Sequence, residues 1–121
     1  AAWSDYLMVS CPGGEATRRI VDVDVLNALG PSGYVVNIAR GSVIDTMALI
    51  TGLENQTIAG AALDVFEDEP AVPAALKRLD NVVLSPHVGG FTPEAFRAGF
   101  ELLRDNLRAQ FAGRSLLTPV A

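Results

Sequence analysis

Few residues in this chain could do chemistry. His87 is the only histidine among 121 residues. Imidazole is the one side chain that titrates near neutrality when unperturbed, so His87 is the natural proton carrier. Arg40 offers a planar fork suited to a carboxylate. Glu67-Asp68-Glu69 follows Asp64 closely. A carboxylate beside His87 would hold its tautomer and favour the protonated ring, making it a usable proton donor. An Arg, a His and a Glu around one pocket would suit proton transfer on a carboxylate-bearing substrate. Plainer readings stand beside this one. Arg40 could pair with Asp45, the acidic stretch could be a solvated loop, and His87 could be an ordinary loop residue. Asp64, Glu67 and Glu69 could instead hold a hard cation. One His and one Cys make a transition-metal site improbable, and no metal is expected.

These residues lie far apart in sequence, so the fold must gather them. Four short apolar runs stand out: Tyr6-Leu7-Met8-Val9-Ser10, Tyr34-Val35-Val36-Asn37-Ile38, Ile58-Ala59-Gly60-Ala61-Ala62-Leu63 and Val82-Val83-Leu84. They are continuous rather than alternating, the pattern of parallel strands covered on both faces. Asp22 can cap a helix through Leu26 and Leu29 that Gly30-Pro31 stops. Asp45 can cap a second, weaker helix carrying Met47, Leu49 and Leu53, because Ile50-Thr51-Gly52 is poor helix material. A third connection, from Val65 to Asp80, is acidic and proline-containing, with one helical turn expected near Ala74-Leu76. Thr92, Pro93 and Glu94 open the clearest helix, with Phe96, Phe100, Leu103, Leu107 and Phe111 at helical steps and Gly113 as its stop. Trp3 and this Phe stripe read as core, or as packing against something absent. Cys11 reads as a small buried residue at a strand end.

Strand–helix alternation predicts an α/β fold with a parallel sheet and right-handed crossovers. In such sheets ligands bind beyond the carboxyl ends of the strands. The residues after the four runs are Cys11-Pro12-Gly13-Gly14, Ala39-Arg40-Gly41, Asp64 to Pro70, and Ser85-Pro86-His87-Val88-Gly89-Gly90. Arg40, the carboxylates and His87 therefore share one edge by topology. Gly41 would allow a tight turn there.

Composition limits the alternatives. The length predicts one domain, and half the residues are hydrophobic, which excludes a disordered tail. A net charge of −5 without a basic run argues against nucleic-acid backbone binding. No apolar run approaches the roughly 20 residues of a membrane span. A single cysteine cannot form an internal disulfide and does not mark a secreted chain. A cytoplasmic location is expected. No G-x-G-x-x-G, P-loop or G-x-S-x-G pattern occurs.

The loops resemble those of the D-2-hydroxyacid dehydrogenase family. Ser10-Cys11-Pro12 with Thr17-Arg18 is similar to its cofactor loop. Val36-Asn37-Ile38-Ala39-Arg40-Gly41-Ser42-Val43-Ile44-Asp45 resembles its arginine motif, the stretch from Ile58 to Pro70 its glutamate motif, and Asn81-Val82-Val83-Leu84-Ser85-Pro86-His87-Val88-Gly89-Gly90 its histidine motif. Val72-Pro73-Ala74-Ala75-Leu76 and the ending Leu116-Leu117-Thr118-Pro119-Val120 resemble the glyoxylate/hydroxypyruvate reductase branch. The resemblance implies a partial Rossmann-like, three-layer α/β/α fold of about four parallel strands. It implies hydride transfer between NAD or NADP and a small 2-oxo or 2-hydroxy acid. Arg40 would bind the substrate carboxylate, His87 would protonate the carbonyl oxygen, and Glu69 would keep His87 charged. Cys11, Pro12, Thr17, Ile38, Ala39, Asp64 and Gly89 would line the cofactor groove, with Asp64 toward the nicotinamide.

The resemblance covers only the family's carboxyl-terminal portion. Residues 1–121 are then one partial NAD(P)-binding domain without the first βαβ unit, its glycine-rich loop and the substrate domain. Cofactor binding by this chain alone should be weak or absent, and the isolated chain should be inactive. Gly13-Gly14 replaces a bulkier pair, and Phe91 stands where a small residue is common. The strand from Tyr6 to Ser10 becomes an open edge, which a homo-oligomer or the amino-terminal residues should cover. The alternative reading is a non-catalytic binding or assembly module on the same fold.

Overall fold

The computed structural model describes residues 1–119. These divide into two compact units, Ala1–Val88 and the residues from Gly89 on. Val120 of the carboxyl-terminal motif lies outside the described residues.

The first unit is an open sheet of four parallel strands in the order β1-β2-β3-β4: β1 (Tyr6–Val9), β2 (Tyr34–Asn37), β3 (Gly60–Leu63) and β4 (Val82–Leu84). Every connection is thus a crossover, and all four carboxyl ends open onto one edge. Helix α1 (Val23–Leu29) starts where Asp22 accepts a hydrogen bond from the Val25 amide, and ends at Gly30, whose φ of 83° favours glycine. Helix α2 (Thr46–Glu54) starts where Asp45 accepts from the Met47 and Ala48 amides. It runs through Thr51-Gly52 despite their low propensity, because Leu49, Ile50 and Leu53 are buried beneath it. The connection from β3 to β4 carries a 3-10 turn at Leu76–Arg78, slightly later than the sequence suggests.

The strands are not covered equally on both faces, contrary to the sequence reading. Leu26 and Leu29 of α1 and Leu49 and Leu53 of α2 share one core with Val9, Val35, Ala61 and Leu63. In register, Leu7, Val35, Ala61 and Val82 form one row of that face, and Val9, Asn37, Leu63 and Leu84 the next. The opposite face carries the row Met8, Val36, Ala62 and Val83, of which Met8 is 56% and Val83 69% exposed. Continuity of apolar residues therefore marks two apolar faces, only one of them buried. Trp3 is 91% exposed, so it is not core. Among the described residues β1 pairs with β2 alone, and Tyr6 stacks on Tyr34 at 5.5 Å along that edge.

The second unit is built on α3 (Pro93–Phe111), capped by Thr92, which accepts from the Ala95 amide. Phe91 packs on Phe96, five residues on, at 5.7 Å. That is a hydrophobic staple across the helix start, a local reason for a large residue at position 91. At the other end the Arg114 amide donates to the Ala109 carbonyl and the Gly113 amide to the Gln110 carbonyl, with Gly113 at φ 63°. Asn106 holds the following segment by accepting from the Leu117 and Thr118 amides. The Phe stripe is exposed, Phe100 at 69% and Phe111 at 87%, so it is not core.

Leu53 is 2% exposed in the first unit's core. Leu53→Ala should cost about 2–5 kcal/mol through lost burial and an unfilled cavity, read as a lower urea midpoint.

Candidate active site

The carboxyl ends of β2, β3 and β4 supply Arg40, the loop 64–70 and His87. Arg40 is placed by Asn37, a polar residue 1% exposed in an otherwise apolar strand. The Asn37 side chain accepts from the Ala39 amide and donates to the Arg40 carbonyl, each at 3.0 Å. This shapes the turn so that the Arg40 side chain is exposed. Its Nη1 donates to the Ala39 carbonyl at 2.6 Å. A Cβ on Gly13 would stand 2.6 Å from Arg40 Cγ, so a bare glycine there leaves room for the Arg40 stem.

Gly41 has a different role from the tight turn expected of it. A Cβ there would stand 2.0 Å from the Phe66 carbonyl carbon and 2.2 Å from the Glu67 nitrogen. Glycine is required because the β3 loop backbone passes through that space. Arg40 does not pair with Asp45. Asp45 caps α2 and faces Arg19 at 3.9 Å.

His87 stands on the loop after β4 with φ 54°, a conformation unusual for a residue with a Cβ. Asp64 holds it from both sides: its Oδ1 accepts from the Ser85 hydroxyl and, at 3.0 Å, from the Val88 amide. His87 Nδ1 lies 2.8 Å from Glu69 Oε2. A carboxylate only accepts, so Nδ1 carries the proton and Nε2 is the nitrogen left to meet a ligand. Glu69 Oε1 accepts from the Phe66 amide at 2.8 Å. The hydrogen bond from His87, then that from Phe66, holds the Glu69 carboxyl below its ordinary value, and the positive charge of Arg40 acts in the same direction. Arg40, Glu69 and His87 thus belong to one electrostatic site. The Glu69-Pro70 peptide is cis.

The acidic residues do not form a cation site. Asp64 serves the His87 turn, Glu69 serves His87, and Glu67 faces Arg18 and Arg19, each at 3.5 Å. Of the stretch Glu67-Asp68-Glu69, Asp68 and Glu69 are exposed, while Glu67 is half-buried against the two arginines. Among the described residues no three His, Cys, Asp or Glu side chains converge, and no helix is long and apolar enough to cross a membrane.

The expected groove residues follow the same edge. Thr17 closes the β1 loop by donating to the Pro12 carbonyl at 2.7 Å. Cys11 is half-buried with a free thiol. The Ile38 amide donates to Val9 and the Ala39 amide to Asn37, so both are already bonded within the protein. Ile38 offers its side chain instead, 53% exposed next to the end of β1. Gly89 belongs to the second unit. An exposed apolar side chain at the carboxyl end of β2, two residues before Arg40, suits a flat heteroaromatic ring, so the residues present fit the nicotinamide end of a dinucleotide. Sequence reasoning gave Asn37 and Ser85 no role of their own. A buried amide inside an apolar run was the available signal for Asn37; nothing local marked Ser85.

The fold is thus an open parallel sheet that brings Arg40, Glu69 and His87 to one carboxyl edge. The chain belongs to the D-isomer specific 2-hydroxyacid dehydrogenases: residues 1–89 match the family's NAD binding domain. It is 53% identical over 117 residues to a glyoxylate/hydroxypyruvate reductase A of Arabidopsis thaliana, covering 97% of this chain and 37% of that protein. It is 44% identical to a 2-ketogluconate reductase of Gluconobacter oxydans, covering 99% of this chain and 39% of that one. The solved NADPH-dependent glyoxylate/hydroxypyruvate reductase of Sinorhizobium meliloti, in complex with NADP and malonate, superposes with a TM-score of 0.93 at 49% identity. That match covers 99% of this chain and 38% of the solved one. The chain therefore spans less than two fifths of these relatives' length.

A carboxyl lowered in the folded state contributes stability above its unfolded value, and loses it as pH falls through the folded one. For Glu69 that loss should begin as pH drops below the ordinary 4.5. Glu69→Gln should flatten this part of the acid limb in urea melts run at stepped pH; an unchanged limb would contradict the pairing.

Proposed function

We propose that this chain supplies the carboxyl-terminal part of the catalytic site of an NAD(P)-dependent reductase of small 2-oxo acids. The observation that carries the reading is the His87–Glu69 pair at 2.8 Å, on the same edge as Arg40. The nicotinamide, when bound, supplies the hydride for C2 of the substrate. Arg40 holds the substrate carboxylate and orients the adjacent carbonyl. His87 gives its Nε2 proton to that carbonyl oxygen, and Glu69 stabilises the ring while the proton is held on it. Cys11, Pro12, Thr17, Ile38, Ala39 and Asp64 line the cofactor side, with Asp64 toward the nicotinamide. Residues 1–121 act as one partial NAD(P)-binding domain, and a cytoplasmic site suits its free Cys11. The similarity to glyoxylate/hydroxypyruvate reductases supports glyoxylate and hydroxypyruvate as first substrates to test.

The test is a chimaera in which this sequence replaces the matching segment of the Arabidopsis relative. It should oxidise NADH or NADPH with one of the two acids, while the 121-residue chain alone should not. His87→Gln in the chimaera should lower kcat by about 100-fold or more. Retained turnover would overturn the proton-donor role. A folded chimaera without any turnover would favour the binding-module alternative.

We also propose that the isolated chain covers its β1 edge by self-association. Support comes from the exposed Tyr6 and Met8 on β1, with Tyr34 of β2 stacked on Tyr6, along a strand that among the described residues pairs with β2 alone. Light scattering should give a mass above the 12.8 kDa of one chain. Met8→Lys should return the mass to one chain; a monomeric parent would refute the idea.

A further inference from the structure

Glu67 has no part in the chemistry above, yet two arginines converge on it. Arg18 and Arg19 from the β1 loop each approach its Oε1 at 3.5 Å. Thr46, the first residue of α2, donates its hydroxyl to Oε2 at 3.3 Å. The Glu67 side chain is only 22% exposed, so these charges are less screened than at an open surface. Arg19 is itself fixed: it sits at φ 51°, its amide donates to the Ser42 carbonyl at 2.8 Å, and its guanidinium also faces Asp45. Two residues on, Val21 pairs with Ile44 in an isolated parallel bridge. The β1 and β2 loops are thereby stitched into one platform, and Glu67 is anchored to it.

The neighbouring backbone carries this anchoring toward the catalytic pair. The Phe66–Glu67 peptide lies directly against Gly41. The Phe66 amide, one residue from the anchor, donates to Glu69 Oε1. The other oxygen of Glu69 accepts the hydrogen bond from His87 Nδ1–H. A shift of the Glu67 anchor thus moves the donor that aims Glu69.

We propose that Glu67 is a positioning residue for the Glu69–His87 pair, acting along the backbone of Phe66, whose N–H lies one peptide before the Phe66–Glu67 link, while Arg18, Arg19 and Thr46 clamp its carboxylate. The proposal rests on the proton-donor reading of His87 for its significance. Its test needs no turnover, so the two fail separately.

The experiment follows the Glu69 carboxyl by carbon NMR in the 121-residue chain labelled at glutamate, its signal identified by its loss in Glu69→Gln. In the parent it should titrate below the ordinary 4.5. Charge alone and loss of the clamp predict opposite signs for Glu67→Gln. Removing a nearby negative charge favours the ionised Glu69 and lowers its pKa further. Releasing the clamp weakens the hydrogen bonds from His87 and Phe66 and raises it. We expect a rise of about half a unit or more, with the amide spectrum otherwise retained. An unchanged or lowered value overturns the proposal. Should Glu67→Gln fail to fold, Thr46→Val, which changes no charge, takes its place: a rise supports the clamp, and an unchanged Glu69 overturns it.

Discussion

The backbone contact at Gly41 is the constraint on which the site depends. Two loops from neighbouring strands pass so closely there that no Cβ can stand between them. One carries Arg40 and the other Glu69. Packing at interior density allows little adjustment once such a contact forms. Asn37 sets one side of it, by bonding the Ala39 amide and the Arg40 carbonyl. The Glu67 ion pairs set the other. His87 joins from the third loop through the two hydrogen bonds that Asp64 accepts on either side of it. The Arg40, Glu69 and His87 side chains are comparatively exposed, while the residues that place their loops, Asn37 and Asp64, are buried. Exposed functional groups on rigid supports are what a preorganised site requires.

The negative charge at this edge is distributed by partner. Asp45 serves a helix start and Arg19, Asp64 a strained turn, Glu67 two arginines, and Glu69 the imidazole. Each of these carboxylates thereby has its own local donors or cations. Exposed pairs of this kind add little to stability singly. Their effect here is geometric, since they join loops separated by tens of residues.

Much of this was legible in the sequence because the signals are local. Asp22, Asp45 and Thr92 cap the helices they were expected to cap, and the four apolar runs are the four strands. The Arg40, Glu69 and His87 loops share an edge because parallel topology leaves no other arrangement. What was not legible depends on distance in space. Nothing near Asp45 announces Arg19, and nothing near Gly41 announces Phe66. Met8 and Val83 look as buried as Val35, because an apolar residue has the same letter on a covered face and an open one.

That uncovered sheet face has a calorimetric consequence. Heat-capacity change on unfolding tracks the apolar surface newly exposed to water. Side chains such as Met8 and Val83 are already largely hydrated in the folded chain. They add little to that change. The stability curve of this chain should therefore be flatter with temperature than that of a domain of equal length whose sheet is sandwiched.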